Sequence, residues 1–81
     1  MIVSEKAPAM PKPKSHMLLP HLRAWRLHAT LTQEELAEQA GVGHATVVRG
    51  ELGREVAALT AAKIAKALGI TLKQLQNEEP E

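Results

Sequence analysis

The chain has 81 residues, of which 44% are apolar, and its formal net charge is only +1. It contains no cysteine, which excludes a disulfide scaffold and a cysteine-ligated zinc finger. No apolar run approaches the ~20 residues that span a bilayer, so we expect a cytoplasmic protein without a membrane partner. The apolar residues are alanine and aliphatics, with one tryptophan and no phenylalanine or tyrosine. This composition favours closely packed helices over a sheet.

Charge is distributed unevenly along the chain, and the distribution divides it into three parts. Residues 1–17 form a Pro/Lys arm in which three lysines against one glutamate give +2. Residues 18–77, the predicted domain, also carry +2, from seven basic residues against five glutamates, and residues 78–81 carry −3. A basic domain with an acidic tail fits a nucleic-acid-binding protein, although solvated faces often give the same balance. The arm is either a flexible tail or a segment that touches phosphate or the minor groove.

A first helix is predicted soon after the arm. Leu18, Leu22 and Trp25 recur at spacings of four and three, which places them on one face of a helix. Pro20 suits the opening turn of that helix, where its missing N–H costs nothing. We expect Trp25 to pack in the core, because a base-stacking platform needs several exposed aromatic side chains.

The next two helices are predicted from their end signals. Thr32, followed three residues later by Glu35, forms a capping box that starts a second helix at Gln33. Gly41 is a natural left-handed residue to end it, and a third helix over residues 44–52 follows almost at once. Two short helices joined by such a turn cross steeply, so the third helix is expected to stand out from the surface.

Two further helices complete the predicted architecture. The expected buried residues of the fourth helix are Leu59, Ala62, Ile64, Ala65 and Leu68. Thr71 caps a short fifth helix, whose Leu72 and Leu75 are the first candidates for a dimer surface. We therefore predict five helices and no strand.

Three segments carry a resemblance to a known family: LTQEELA at 31–37, AGV at 40–42 and KIAKALGI at 63–70. In this order they resemble the Cro/C1-type (Xre-like) helix-turn-helix family, from about Leu18 to Leu75. The resemblance implies an all-α, compact five-helix, lambda-repressor-like DNA-binding domain with its helix-turn-helix over roughly residues 32–53. It also implies a transcriptional regulator, expected to be a repressor, that binds double-stranded DNA as a homodimer at the nucleoid.

The resemblance assigns DNA contacts as well. The predicted DNA-binding residues are Gln33, Gly43, His44, Ala45, Thr46, Arg49 and Arg54. Arg49 could grip guanine O6 and N7 as a bidentate pair, and His44 could make one hydrogen bond to a base. Ala45 and Thr46 offer methyl groups to thymine, whereas Arg54 is expected to neutralise a phosphate.

Other positions take their expected roles from the same resemblance. Gln33 matches the family's glutamine that braces a phosphate at a helix N-terminus, and Gly43 replaces the usual Ser or Thr cap at little cost. Gly50 stands where a bulky aliphatic residue is expected, so we predict that the last turn of the third helix is loose or ends early. Arg26 and Glu35 are expected to form an internal ion pair.

No metal site, cofactor or catalytic centre is predicted. His21 and His28 lie seven residues apart, about 10.5 Å along a helix, which is too far for one zinc ion. The sequence contains no nucleophile elbow, no phosphate-cradling glycine loop and no H-E-x-x-H run. We therefore expect that the protein is not an enzyme.

Two alternative functions stay open at the level of sequence. The chain could be the antitoxin of a toxin–antitoxin pair, which a co-purifying toxin would reveal. It could also be a protein-interaction module that has lost DNA binding, an interpretation favoured by Gly50 and by the near-neutral total charge. Salt-dependent binding to a random duplex distinguishes a DNA-binding protein from such a module.

Overall fold

A computed structural model describes residues 16–81. Its elements are β1 (His16–Met17), α1 (Leu22–His28), α2 (Gln33–Ala40), α3 (His44–Glu51), β2 (Val56–Ala57), α4 (Ala58–Ala67) and α5 (Leu72–Asn77). The five helices confirm the predicted all-α helix-turn-helix fold. Within residues 16–81, no helix has both the length and the apolar character needed to cross a membrane. The first 15 residues, most of the predicted arm, lie outside the described part.

The core is a small cluster of alanine and aliphatic side chains contributed by nearly every element. Its buried members are Leu19, Leu22, Leu36, Ala37, Val47, Val56, Ala61, Ile64, Ala65 and Leu75. The small alanines allow α2 to contact both α3 and α4 closely. The core thereby holds one side of α3 and leaves its other side to solvent.

Capping boxes set the start of α2 and of α5, as the sequence predicts. The Thr32 hydroxyl accepts from the Glu35 N–H at 3.0 Å, and the Glu35 carboxylate accepts from the Thr32 N–H at 2.9 Å. Thr71 and Gln74 make the same reciprocal pair at 3.1 and 2.9 Å. Each box satisfies two N–H groups that have no partner within the helix.

The prediction of no strand is wrong. His16 and Met17 pair in antiparallel register with Ala57 and Val56, respectively. Val56 is 3% exposed, and pairing satisfies backbone groups that burial removes from water. Two-residue strands are too short to show an alternating pattern in the sequence. The end of the predicted arm therefore belongs to the folded domain.

The predicted apolar face of α1 is also partly wrong. The helix begins at Leu22 rather than near Pro20, so helical spacing does not extend back to Leu18. Leu18 is 50% exposed, whereas its neighbour Leu19 is 1% exposed and lies in the core. Leu19 reaches the core from the turn that precedes the helix.

The buried face of α4 is rotated from the one predicted. Ala61, Ile64 and Ala65 are buried, whereas Leu59 is 71% exposed and Ala62 is exposed. Ala61 lies two positions after Leu59, which is about 200° around a helix of 3.6 residues per turn. Leu59 therefore points away from the core face that Ala61 helps to form.

The C-terminal segment packs back on α1. The Trp25 indole N–H donates to the carbonyl oxygen of Glu78 at 2.8 Å, and Glu79 lies 3.7 Å from His21 Nδ1. Trp25 is half-buried and packs against the core, as predicted for it. Leu75 is fully buried, so this residue cannot belong to the dimer surface predicted on α5.

Candidate nucleic-acid interface

A tight glycine turn joins α2 to α3. Gly41 has φ 71° and ψ 33°, the left-handed conformation predicted for it, which residues with a Cβ resist. The Val42 N–H donates to the Ala37 carbonyl at 3.0 Å, and the Gly41 N–H donates to the Glu38 carbonyl at 3.2 Å. These bonds satisfy two of the last carbonyls of α2 and end the helix at the turn. Residue 44 can therefore open α3 only three residues after Gly41.

The two sides of α3 differ sharply in exposure. Val47 is fully buried and Gly50 is buried beside it, three residues on. His44, Ala45 and Arg49 are exposed. Because i and i+3 share one face of a helix, the buried pair fixes which side of α3 faces outward. The inner face of α3 is thus held by the core, and its outer face is exposed to solvent.

Gly50 tightens the packing of α3 and does not loosen it. An added Cβ would lie 2.9 Å from Leu22 Cδ2 and 3.6 Å from Val56 Cγ1. The last turn is complete, since the Leu52 N–H donates to the Val48 carbonyl at 3.0 Å. The predicted loose turn is therefore wrong, because glycine is the residue that lets α3 approach α1 this closely.

A buried ion pair also joins α3 to α1, and its acidic member is Glu51. The Arg26 Nε donates to one Glu51 carboxylate oxygen, and Nη2 donates to the other at 3.1 Å. Arg26 Nη1 donates to the Leu31 carbonyl at 2.8 Å. The two side chains are only 11% and 6% exposed. The predicted pairing of Arg26 with Glu35 is wrong, because the Glu35 carboxylate is engaged in the α2 capping box.

Gln33 lies at the edge of this ion pair. Its side-chain Nε2 donates to Glu51 Oε1 at 3.1 Å, and the residue is half-buried. An amide nitrogen carries two hydrogens, so the second N–H is still available to an acceptor outside the protein. Glu51 thus holds Gln33 at the start of α2, where a phosphate contact was predicted.

The outer face of α3 forms one side of a shallow groove. Its lining residues are His44, Ala45, Val48, Arg49, Leu52 and Arg54. The Arg54 N–H donates to the Arg49 carbonyl at 3.1 Å, which ties the loop after α3 to the helix. Four predicted DNA-contacting residues therefore come together on one surface: His44, Ala45, Arg49 and Arg54. This groove is called the outer groove below.

Three predicted residues, Gln33, Gly43 and Thr46, lie outside the outer groove, and two lining residues were not predicted. Gly43 is exposed at the α3 N-cap, and the half-buried Thr46 has its hydroxyl near Gly43 rather than in the groove. Val48 and Leu52 were not predicted. Their spacing from Ala45, of three and then four residues, is the sequence signal that could have found them.

An acidic depression lies on the other side of the α3 N-terminus. It is lined by Glu34, Glu35, Glu38, Val42 and His44. Within residues 16–81, no group of histidine, aspartate and glutamate side chains is arranged to hold a metal ion. The start of α3 therefore separates an acidic surface on α2 from the arginine-bearing outer groove.

A helix anchored on its inner side, projecting after a tight glycine turn, defines the helix-turn-helix class of DNA-binding domains. A family model described as helix-turn-helix matches residues 22–75, which is most of the described chain. The protein therefore belongs to the Cro/C1-type helix-turn-helix family and carries a domain that binds double-stranded DNA. Comparison with curated proteins and with solved structures gives no match.

Proposed function

We propose that this protein is a sequence-specific transcriptional regulator that represses by occupying its operator. The observation that carries the proposal is the two-sided burial of α3, with Val47 fully buried and Arg49 exposed in the outer groove. A helix about 10–12 Å in diameter fits the major groove, which is about 12 Å wide. A protein seated there can exclude other DNA-binding proteins from the same site. Operators on the chromosome would place it at the nucleoid.

The residues of the outer groove have distinct roles in this proposal. Arg49 reads guanine through two parallel hydrogen bonds, and His44 reads one base acceptor or donor. Arg54 pairs with a phosphate beside the groove. Thr46 lies beside the outer groove, with its hydroxyl near Gly43 at the start of α3. In this proposal it makes a methyl contact, or a contact close to the DNA backbone, and no central base contact.

The starts of α2 and α3 supply further phosphate contacts. Gln33 offers its second amide N–H to a phosphate while Glu51 holds the first. The N–H groups around Gly43 point out of the start of α3, where a phosphate is favoured. Contacts of this kind set the register of the helix in the groove without reading sequence.

We further propose that the regulator acts as a homodimer on a two-fold operator. A single small module of this kind buries only about 600–1,000 Å² on DNA, which limits its affinity and its selectivity. Two copies one helical turn apart place their α3 helices about 34 Å apart in successive major grooves. Sedimentation equilibrium of the free and DNA-bound protein tests the stoichiometry.

Fluorescence anisotropy with a random-sequence duplex tests the function directly. A DNA-binding protein should bind at low salt with a Kd in the micromolar range, and log K should fall linearly with log salt. Selection from a random duplex pool should then yield paired half-sites bound much more tightly. Absence of salt-dependent binding to any duplex would contradict the proposal and favour a protein-interaction module.

A further inference from the structure

The outward side of α4 carries a row of exposed side chains that belongs neither to the core nor to the outer groove. Its members are Leu59, Ala62, Lys63 and Lys66. Positions i, i+3, i+4 and i+7 share one face of a helix, and this face lies opposite the side of α4 that the core covers. The row is about 10.5 Å long, from its first residue to its last. It is called the α4 row below.

The α4 row has an apolar end and a basic end. Leu59 is 71% exposed, and Ala62 follows it one turn later. At the other end, Lys63 and Lys66 line a groove between α4 and the end of α2, together with Gln39 and two half-buried alanines. No residue of this groove also lines the outer groove. The α4 row is therefore separate from the surface assigned to DNA.

The charge of the basic end has no partner in the described part of the chain. The helix α4 contains no acidic residue, and among residues 16–81 neither Lys63 nor Lys66 forms an ion pair. Because the two lysines are three positions apart on a helix, their ammonium groups are neighbours and repel each other. A carboxylate placed between them removes that repulsion, and the Gln39 amide can donate a hydrogen bond to it. The basic end thus favours an acidic ligand.

The apolar end decides which kind of acidic ligand fits. A small anion, or the phosphate backbone of DNA, would contact the lysines and leave Leu59 in water. A second helix laid along α4 covers both ends, because its own side chains recur at the same spacings of three and four. Its apolar turn then packs on Leu59 and Ala62, and its acidic turn meets the lysines.

We propose that the α4 row is a docking surface for an acidic amphipathic helix of a second protein. That helix carries apolar residues on the turn that meets Leu59 and carboxylates on the turn that meets Lys63 and Lys66. The contact is small, so it belongs to the weak and transient class of interfaces, and salt weakens it further. The partner binds outside the outer groove, and it therefore leaves α3 available to DNA. Only the consequence that it would be carried to an operator rests on the function proposed above.

Designed helical peptides test the proposal. The probe is a fluorescent, alanine-based peptide with leucines on one turn and glutamates on the next turn of the same face. The control peptide has lysine in place of each glutamate. The full chain should bind the acidic peptide at low salt about tenfold more tightly than the basic one, because ion pairs replace repulsions. Equal binding of the two peptides, or binding of neither, would overturn the proposal.

Variants of the α4 row should change this preference in a defined way. The double variant Lys63→Glu/Lys66→Glu should prefer the basic peptide, whereas Lys73→Glu, the matched charge reversal on α5, should keep the preference of the parent. Leu59→Ala should weaken the acidic peptide about tenfold through loss of buried apolar surface. Leu27→Ala, at a leucine on α1 that is 53% exposed, is its control. Circular dichroism verifies that each variant is folded, and an unchanged preference in the double variant contradicts the proposal.

The remaining measurements separate the α4 row from the other surfaces of the domain. Arg49→Ala should bind the acidic peptide as the parent does, and a random-sequence duplex should not displace the peptide. Displacement by the duplex, or loss of peptide binding in Arg49→Ala, would mean that the peptide occupies the outer groove in place of DNA. A changed oligomeric mass of free Leu59→Ala would make the row a contact between copies of this chain. Either result would overturn the docking surface and leave DNA binding intact, whereas failure to bind any duplex would overturn the proposed function alone.

Discussion

The inner and outer faces of α3 obey different constraints, although both belong to one helix of only eight residues. On the inner face, Val47 is fully buried, Gly50 touches α1, and Glu51 holds a buried arginine. On the outer face, Ala45 and Arg49 are exposed in the free protein. Substitutions on the inner face should therefore change folding, and those on the outer face should change DNA binding alone. Substitutions on each face test that division.

The largest expected effect is the loss of the buried carboxylate on the inner face. Glu51→Ala leaves Arg26 as an unpaired buried charge and should lower the free energy of unfolding by about 3–5 kcal/mol. Glu35→Ala is the control, because it removes only a capping-box partner at a cost of about 1 kcal/mol. Urea unfolding followed by circular dichroism measures both. Equal losses in the two variants would contradict the assignment of the ion pair.

The next effect concerns space on the inner face. Gly50→Leu should destabilise the protein by about 1–3 kcal/mol, because its side chain would enter the volume held by Leu22. Gly50→Ala should cost less, since better helix propensity of about 1 kcal/mol offsets part of the clash. Both effects appear as shifts of Tm.

A double variant distinguishes crowding from a general effect of the substitution. Leu22→Ala opens space opposite position 50, so Gly50→Leu should be far less harmful in that background. If Gly50→Leu stabilises the protein on its own, the close packing of Gly50 against Leu22 is wrong and a bulky residue belongs at this position, as the family resemblance led us to expect.

The outer face gives the complementary case. Arg49→Ala should weaken operator binding by about 1–3 kcal/mol, roughly 5- to 150-fold, through loss of the guanine contact. Its Tm should stay within about 1 °C of the parent, because an exposed side chain away from special features contributes little to stability. Lys73→Ala, which removes one charge from an exposed position on α5, is the control. Equal loss of affinity in both variants would mean that Arg49 acts only as a charge.

The same contrast explains what the sequence could and could not predict. The bounds of α2 follow from signals within a few residues, namely the Thr32–Glu35 box and the glycine at 41, and they were predicted correctly. The partner of Arg26 lies 25 residues away at Glu51, and local patterns do not specify which of several glutamates meets it. The capping box was the signal that argued against Glu35, because a Glu35 carboxylate bound to the Thr32 N–H is not free to pair with Arg26 on α1.

Gly50 shows a second limit of sequence reasoning. A glycine within a helix costs about 1 kcal/mol relative to alanine, which by itself predicts a weak turn. The benefit of glycine at position 50 is the space that it leaves for Leu22, whose Cδ2 would lie 2.9 Å from an added Cβ. That distance depends on the whole three-dimensional packing. For the outer face the reverse holds. The exposure of this face followed from the position of the glycine turn before α3. Five of the seven predicted DNA-binding residues are exposed, and no tertiary information was needed to place them on the surface.

The smallest expected effect lies beside the outer face, in the acidic depression. Glu38 lines it together with Glu34 and His44, next to the start of α3. If phosphates approach this edge, the Glu38 carboxylate repels them, and Glu38→Gln should tighten binding to a random duplex. An exposed charge interaction is worth at most about 1 kcal/mol, so the gain should not exceed about fivefold at low salt and should vanish as salt rises.

Glu81→Gln is the matched control for this charge, since it removes a carboxylate from the exposed C-terminus. Anisotropy with random and selected duplexes then gives two affinities for each variant. We expect Glu38→Gln to tighten random binding more than operator binding, because base contacts on the outer face already fix the operator complex. The acidic depression would then act as a selectivity device, which weakens contact with DNA wherever α3 is not seated on its site. Equal gains in Glu38→Gln and Glu81→Gln would show instead that only net charge matters, and that the depression faces away from the DNA.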